Sequence, residues 1–219
     1  MVIIPIESGP VYTMGYLVYD NESKDCVVVD VPYESAGWFV SNINSLNLNL
    51  RAVFLTHSHW DHTIDTPDLI SKIRADVYIH KDDEYRILAP NDHTVWKLPF
   101  EMKSIKADKY FEDETEISLG TLNFKILHTP GHSEGSVCIM NEKEKIVFTG
   151  DTLFNQSIGR SDLPGGNSDK LMNSIFKKLM TLPGDFEVFS GHGESTNIDT
   201  ERRYNPFLRE IGNLGMAKQ

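Results

Sequence analysis

Cysteine is nearly absent: only Cys26 and Cys138 occur among 219 residues, so no disulfide framework is available and a hydrophobic core must carry the fold. Both lie in β-like apolar runs, CVVVD and SVCIM, where buried free thiols in a reducing compartment are expected. Basic charge is also in short supply. With 21 Lys and Arg against 32 Asp and Glu, the formal net charge is −11, which repels a polyphosphate backbone and argues against a nucleic-acid partner. No run approaches the ~18 apolar residues of a membrane span. The opening MVIIPIESGP has no basic stretch and meets Pro5 and Glu7 early, so neither export nor a membrane partner is expected and the predicted location is cytoplasmic.

What remains is ordinary globular material: 40% apolar and 24% charged residues, a composition far from disorder or a fibrous repeat. The length suits one α/β domain over 1–219 built from two similar halves that meet near 110–120. Strand-like runs occur at Val2–Ile6, Met14–Tyr19, Cys26–Val31, Ala52–Leu55, Val77–Ile79, Leu122–Leu127, Val137–Met140, Lys145–Phe148 and Phe186–Phe189. Helical spacing covers Glu34–Leu46, Pro67–Ile73, Lys81–Leu88 and Ser168–Met180, the last with Ser168 as its expected N-cap. Ala89–Tyr110 has two prolines and no clean period, which predicts a long surface excursion bordering the site.

One device recurs: a short apolar strand, then Gly or Thr, then His or Asp. It delivers His57, His132, Asp151 and His192, and side chains displayed at strand ends on one rim are placed to converge on an ion. His57-Ser58-His59-Trp60-Asp61-His62 packs four metal-competent side chains into six positions. In an extended segment His57 and His59 share a face, while Asp61 and His62 swing toward a neighbouring ion. His132 and His192 have small neighbours that let the backbone come close. Asp151 is the carboxylate available to sit between two cations and offset their repulsion. Imidazole and carboxylate suit zinc, iron or manganese alike. His80, His93 and His128 lack such company and are expected to be structural or surface residues.

These motifs, together with Pro130-Gly131-His132, Gly150-Asp151-Thr152-Leu153-Phe154 and Gly191-His192-Gly193, resemble the metallo-β-lactamase superfamily in order from about Gly9 to Leu208. Ile158–Gly166 and Arg203–Leu208 further resemble its short type II glyoxalase-like members, the hydroxyacylglutathione hydrolase-like proteins. The resemblance implies an αββα sandwich of two mixed sheets with helices outside and metals at one edge. It also implies a ligand split: His57, His59 and His132 at one metal, Asp61, His62 and His192 at the other, Asp151 bridging. The sequence departs from the family pattern in three places. Ile64-Asp65-Thr66 replaces glycines after the histidine motif, the chain ends before the helical extension of full-length glyoxalase II enzymes, and Arg160 and Asp162 stand where those enzymes have a lysine and a tyrosine for glutathione. Arg160 can anchor a substrate carboxylate, whereas Asp162 cannot replace a phenol facing an anion.

Two divalent ions, zinc first, would acidify a bound water and polarise a carbonyl, with Asp61 both a ligand and the hydrogen-bond acceptor for the attacking group. A thiolate whose parent thiol has a pKa of about 8.5 leaves without a strong acid, so hydrolysis of a thioester such as S-lactoylglutathione, a small-molecule partner, is the leading expectation. The alternatives are a mononuclear-iron persulfide dioxygenase using His57, His132 and Asp151, and a phosphodiesterase of the same fold.

Overall fold

The computed structural model describes residues 1–209. Its first sheet runs β1 (Val2–Ser8), β2 (Thr13–Tyr19), β3 (Asp25–Val29), β4 (Asn49–Phe54), β5 (Asp76–His80) and β6 (Lys109–Phe111), in that spatial order. β1, β2 and β3 pair antiparallel and β3 to β6 parallel, so the sheet is mixed. The second sheet comprises β7 (Glu116–Leu119), β8 (Leu122–His128), β9 (Val137–Asn141), β10 (Ile146–Gly150), β13 (Glu187–Ser190) and β14 (Thr196–Asn197), in spatial order β14-β13-β10-β9-β8-β7. It too is mixed, since β10 and β13 are parallel and the remaining pairs antiparallel. A small hairpin, β11 (Leu153–Phe154) and β12 (Ser157–Ile158), follows β10.

Continuous apolar strands such as Val27-Val28-Val29 are explained by burial on both faces. Val27 and Val29 point into a layer between the sheets, shared with Phe54, Phe111, Phe124, Ile139 and Phe148. Val28 points the other way, with Leu17, Val53 and Ile79, against Phe39 and Ile43 of α1 (Ala36–Ser45) and Leu69 of α3 (Thr66–Lys72). The second sheet's outer face packs Cys138, Met140 and Val188 on Leu171, Ile175 and Leu179, from α6 (Ser168–Ser174) and the π-helical turn Ile175–Leu179, and on Ile198 of α7 (Ile198–Tyr204). Three apolar layers thus separate helix, sheet, sheet and helix, the expected αββα sandwich. Cys26 and Cys138 are free and buried in different outer layers, and burial pushes their thiols up to about 12 and about 11. No helix among the described residues is long and apolar enough to cross a membrane.

Local departures from the expected elements have identifiable causes. The first helix begins at Ala36 rather than Glu34 because Glu34 is left-handed, with φ 62°. Lys81–Leu88 divides into a 3-10 turn, Lys81–Asp83, and α4 (Glu84–Leu88). The cap of α6 is Asn167, not Ser168: its side chain accepts from Lys170 N at 2.9 Å, and Ser168 is the first helical residue. The 89–110 stretch holds α5 (Pro90–His93), and its Met102, Ile105 and Ala107 are buried, so it is anchored rather than wholly superficial. The short edge strands β6, β7 and β14 carry too few apolar positions to stand out in sequence.

Phe54 occupies the middle of the inter-sheet layer, edge-on to Tyr78, Phe111 and Phe124 at 5.2, 5.4 and 5.5 Å. Phe54→Ala is expected to cost about 3–5 kcal/mol, the transfer loss plus an unfilled cavity. Urea unfolding with an unchanged m-value checks this, and a loss below about 1 kcal/mol would show that the two sheets re-close over the gap.

Candidate metal centre

Four strand ends build the site. β4 leads through Leu55 and Thr56 to His57, β8 leads to the loop carrying His132, β10 ends next to Asp151, and β13 ends two residues before His192. Because β10 and β13 are parallel neighbours, Asp151 and His192 emerge side by side. The sheets are tied at this rim by Val137 N donating to Thr56 O and Met14 N donating to Gly191 O, at 2.9 and 2.8 Å. Gly191 is required there by space: a Cβ would collide with Asp151 Oδ1 and lie 2.7 Å from His62 Cε1.

All seven residues expected to bind metal meet at this rim. His57, His59 and His132 form one group, Asp61, His62 and His192 a second, and Asp151 joins His57 and His62 in a third; within each, the ligand atoms lie within 4.8 Å of one another. Asp151 sits between the others, its carboxylate 3.3 Å from both His62 Nε2 and His132 Nε2 and 3.6 Å from His192 Nε2. Asp61 and His62 join His192 in a separate group from His59, although the His62 ring also lies 4.2 Å from that of His57, and alternation along an extended chain is not the reason. His59 is the last extended residue, and the one-turn helix α2 (Trp60–Thr63) rotates the following side chains.

The buried polar atoms show what the arrangement can hold. His57 Nε2, His62 Nε2, His132 Nε2 and Asp151 Oδ1 are shielded from solvent and have no hydrogen-bond partner. Leaving such atoms unpaired is costly, and a cation that accepts their lone pairs satisfies them together. Their opposite ring nitrogens are held. His62 Nδ1 lies 2.8 Å from Asp30 Oδ2, His132 Nδ1 2.7 Å from the Arg160 carbonyl, and His192 Nδ1 3.1 Å from the Val11 carbonyl. Each contact makes Nδ1 the donor and turns the Nε2 lone pair inward, the usual way a metal-site imidazole is oriented. The donor set therefore fits divalent cations.

Electrostatics separates the rings. Burial, aided by neighbouring His62 and His132, drives His57 well below the ordinary imidazole value, and burial with His132 holds His59 at about 3. His62 is also buried, yet Asp61, Asp151 and Asp30 raise it well above the ordinary value. Burial opposes charge on His192 as well, but donation from its ring to the Asp151 and Asp61 carboxylates lifts it to about 10. Burial would raise Asp61, and His62 and His192 outweigh it, keeping the carboxyl at about 2. Asp151 is likewise held well below the usual range by His62 and His132 against its burial.

Two supporting acids escaped the sequence reading. Asp30 accepts from Thr56 N at 2.8 Å, from Thr56 Oγ1 at 2.7 Å and faces His62. Thr56 Oγ1 in turn lies 3.1 Å from His57 Nδ1, so one carboxylate steadies both histidines. The signal was present, because Asp30 closes Cys26–Val29 by the same strand-then-acid device. Asp83, fully buried, accepts from Ser58 N, Ser133 Oγ and Gly135 N at 2.8, 2.8 and 2.6 Å and so fastens the His57 loop to the His132 loop. Thr13 Oγ1 donates to Asp61 Oδ2 at 2.7 Å.

Arg160 differs from expectation. It borders the site, but its Nε and NH2 both bond Asp162 at 2.8 Å, so its fork is occupied and its carbonyl is what supports His132. His80 and His128 stack face to face at 3.9 Å and 11°, joining the ends of β5 and β8; with Asp82 their ligand atoms also cluster, but stacked rings point their lone pairs in parallel rather than at one point. His93 lines the cavity beside the site, edge-on to Tyr85.

Residues 8–192 match the model of the metallo-beta-lactamase superfamily. The chain belongs to that superfamily. It is 35% identical over 195 residues to hydroxyacylglutathione hydrolase GloC of Haemophilus influenzae, spanning 88% of this chain and 91% of that one. It is 34% identical to the probable metallo-hydrolase YqgX of Bacillus subtilis, spanning 91% and 94%. Among solved structures, the B3 metallo-beta-lactamase BLEG-1 superposes with a TM-score of 0.88 at 34% identity, covering 94% of this chain and 99% of that one. The di-iron-bound form of TTHA1623 gives 0.82 at 32%, covering 94% and 100%.

Asp30→Asn keeps the side chain's size and removes the charge behind His62 and Thr56. Metal affinity is expected to fall about 10–100-fold with the far-ultraviolet circular dichroism unchanged, measured by chelator competition. An unaltered affinity would reduce Asp30 to a loop brace.

Proposed function

We propose that this metallo-hydrolase binds two divalent metal ions and hydrolyses a thioester of a small thiol, with S-lactoylglutathione as the reference substrate. The observation that carries this reading is the set of orphaned Nε2 and carboxylate atoms gathered around Asp151, of which those of His132 and Asp151 belong to residues lining an open cavity of about 560 Å³ and those of His57 and His62 lie beneath it. His57, His59 and His132 would hold one ion, Asp61, His62 and His192 the other, with Asp151 between them. When bound, the ions supply acidification of water and polarisation of a carbonyl. Zinc is the first choice for such ligands, and the di-iron relative supports iron as the second.

The chain's own groups do the rest. Thr13 fixes Asp61 so that a carboxylate held at about 2 is ionised and available to accept a hydrogen bond from the attacking water. Asp30 and the carbonyls of Arg160 and Val11 lock three imidazoles in one tautomer, so little reorganisation accompanies reaction. A thiolate leaves unaided, its parent thiol having a pKa of about 8.5, whereas an amine must be protonated to leave. That favours a thioester over an amide, and the GloC likeness points the same way. The net negative charge argues against nucleic acid as substrate, and a thiol-rich, reducing cytoplasm is the compartment in which such conjugates and the two free cysteines are at home.

Purified protein is to be analysed for metal and assayed with S-lactoylglutathione, a chromogenic β-lactam and glutathione persulfide under oxygen. Two metals per chain, chelator-sensitive thioester cleavage and little else are expected. Faster β-lactam opening, or oxygen uptake with one iron, overturns the reading in favour of a lactamase or a dioxygenase. Asp61→Ala is expected to lower kcat by about 10²-fold or more while the fold persists. A folded Asp61→Ala variant with full activity refutes the role given to Asp61.

A further inference from the structure

The cavity above the candidate metal centre has walls unlike its floor. Five of the seven candidate ligands, His59, Asp61, His132, Asp151 and His192, form the floor, whereas Val11, Trp60, Val95, Trp96, Phe100 and Leu163 stand around it. Trp96 and Val95 are 52% and 53% exposed, and Val11 is 45% exposed. Three large apolar side chains left open around one hollow mark a contact surface for an apolar ligand. The wall is braced. Phe100 stacks on Tyr33 with centroids 5.0 Å apart and leans on Trp60 at 6.1 Å, and Met102 behind it is held by Asn91 through both its N–H and its carbonyl, at 2.9 and 2.8 Å.

The cations lining the same cavity are mostly engaged. Arg86 bonds Glu134 at 2.5 Å, Asp83 at 3.4 Å and the Pro164 carbonyl at 2.8 Å, and Arg160 is forked onto Asp162. Arg86 has no free fork for a ligand carboxylate, and Arg160 has its Nε–NH2 edge tied to Asp162. Among the described residues Lys97 is the lining Lys or Arg without an ion pair. Glutathione brings two carboxylates and an ammonium group, and this cavity offers them little, whereas a flat apolar group finds two indoles and a phenyl ring beside the reacting centre.

We infer that Trp96, with Trp60 and Phe100, sets specificity for thioesters that carry an aromatic or branched apolar group on one half, in preference to thioesters of glutathione. This rests on the thioesterase reading above and narrows its substrate class. The apolar half lies against the indoles while the thioester carbonyl reaches the floor. A lone pair of the water oxygen forms the new bond to the acyl carbon, the carbon–sulfur pair leaves with the thiolate, and the proton lost by the water ends on that thiolate, giving carboxylic acid and thiol. An apolar pocket discriminates by about 10–200-fold per methylene that it fits, so a phenyl group should register clearly.

The test compares kcat/KM of metal-loaded protein for S-phenylacetyl-N-acetylcysteamine and S-benzyl thioacetate, which place the ring on either half, with S-acetyl-N-acetylcysteamine and S-lactoylglutathione. At least one phenyl substrate should exceed both others by about 10-fold or more. Trp96→Ala should bring the phenyl-to-acetyl ratio near one, and Trp96→Phe should restore most of it. Calorimetry with the non-hydrolysable thioether S-phenethyl-N-acetylcysteamine, against its S-methyl counterpart, reads the same preference without turnover. If thioesters are cleaved but S-lactoylglutathione leads and Trp96→Ala leaves the ratios and thioether affinity unchanged, the inference is overturned and the thioesterase reading stands. If no thioester is cleaved yet the phenethyl thioether binds at least about 10-fold tighter than the methyl one and loses that advantage in Trp96→Ala, the apolar specificity stands and the reaction assignment falls. If neither cleavage nor preferential binding occurs, both fall.

Discussion

Histidine ring nitrogens gathered around one carboxylate, out of reach of water and without a hydrogen-bond partner, are the constraint around which this molecule is arranged. Bringing His57, His62 and His132 together with unpartnered Nε2 atoms is unfavourable for the polypeptide alone. The cost is borne by the rest of the fold: two sheets locked by an aromatic layer, four strand ends on one rim, and backbone carbonyls or Asp30 on the far side of the rings. Remove the outer acceptors and the rings would turn to bond one another or solvent. The rigid scaffold thus stores a donor set that a cation can complete with little rearrangement.

A second consequence concerns charge. Five imidazoles and two carboxylates in so small a volume could neutralise one another as ion pairs, and His62 and His192 are pulled that way by Asp61 and Asp151. His57 and His59 are not, because burial and neighbouring rings keep them neutral. The two sides of the centre therefore differ before any ion arrives. On the first, burial and neighbouring rings disfavour charge, and on the second the two carboxylates favour it. That asymmetry follows from Asp61 and Asp151 facing His62 and His192, with Asp30 adding to them behind His62.

Much of this was legible because it is local. The density of the His57–His62 segment, and the repeated passage from apolar strand to His or Asp, depend on neighbours in the chain and on strand geometry. The seven candidate ligands could be named on those grounds. Asp83 could not: nothing near Lys81–Leu88 says that a carboxylate there will accept from Ser58, Ser133 and Gly135, 25 to 52 positions away. Arg160 shows the opposite difficulty. Its charge invited a substrate role, and only the folded loop reveals that Asp162, two residues on, already occupies both arms of the fork. The 89–110 stretch had no period to read, yet its tryptophan and phenylalanine form the wall of the cavity.

By itself, then, the chain's order of residues determined where apolar strands run and that metal-competent side chains would be displayed where strands end, while the layered sandwich was expected from the resemblance that its motifs carry. These follow from burial and from backbone period, which act over a few residues. Tertiary structure alone decided which carboxylates stand behind the rings, which cations are already paired, and that an apolar wall overlooks the floor. Such contacts join residues tens to more than a hundred positions apart, as in the bond from His192 to Val11, and their energies exist only once the sheets have closed on each other.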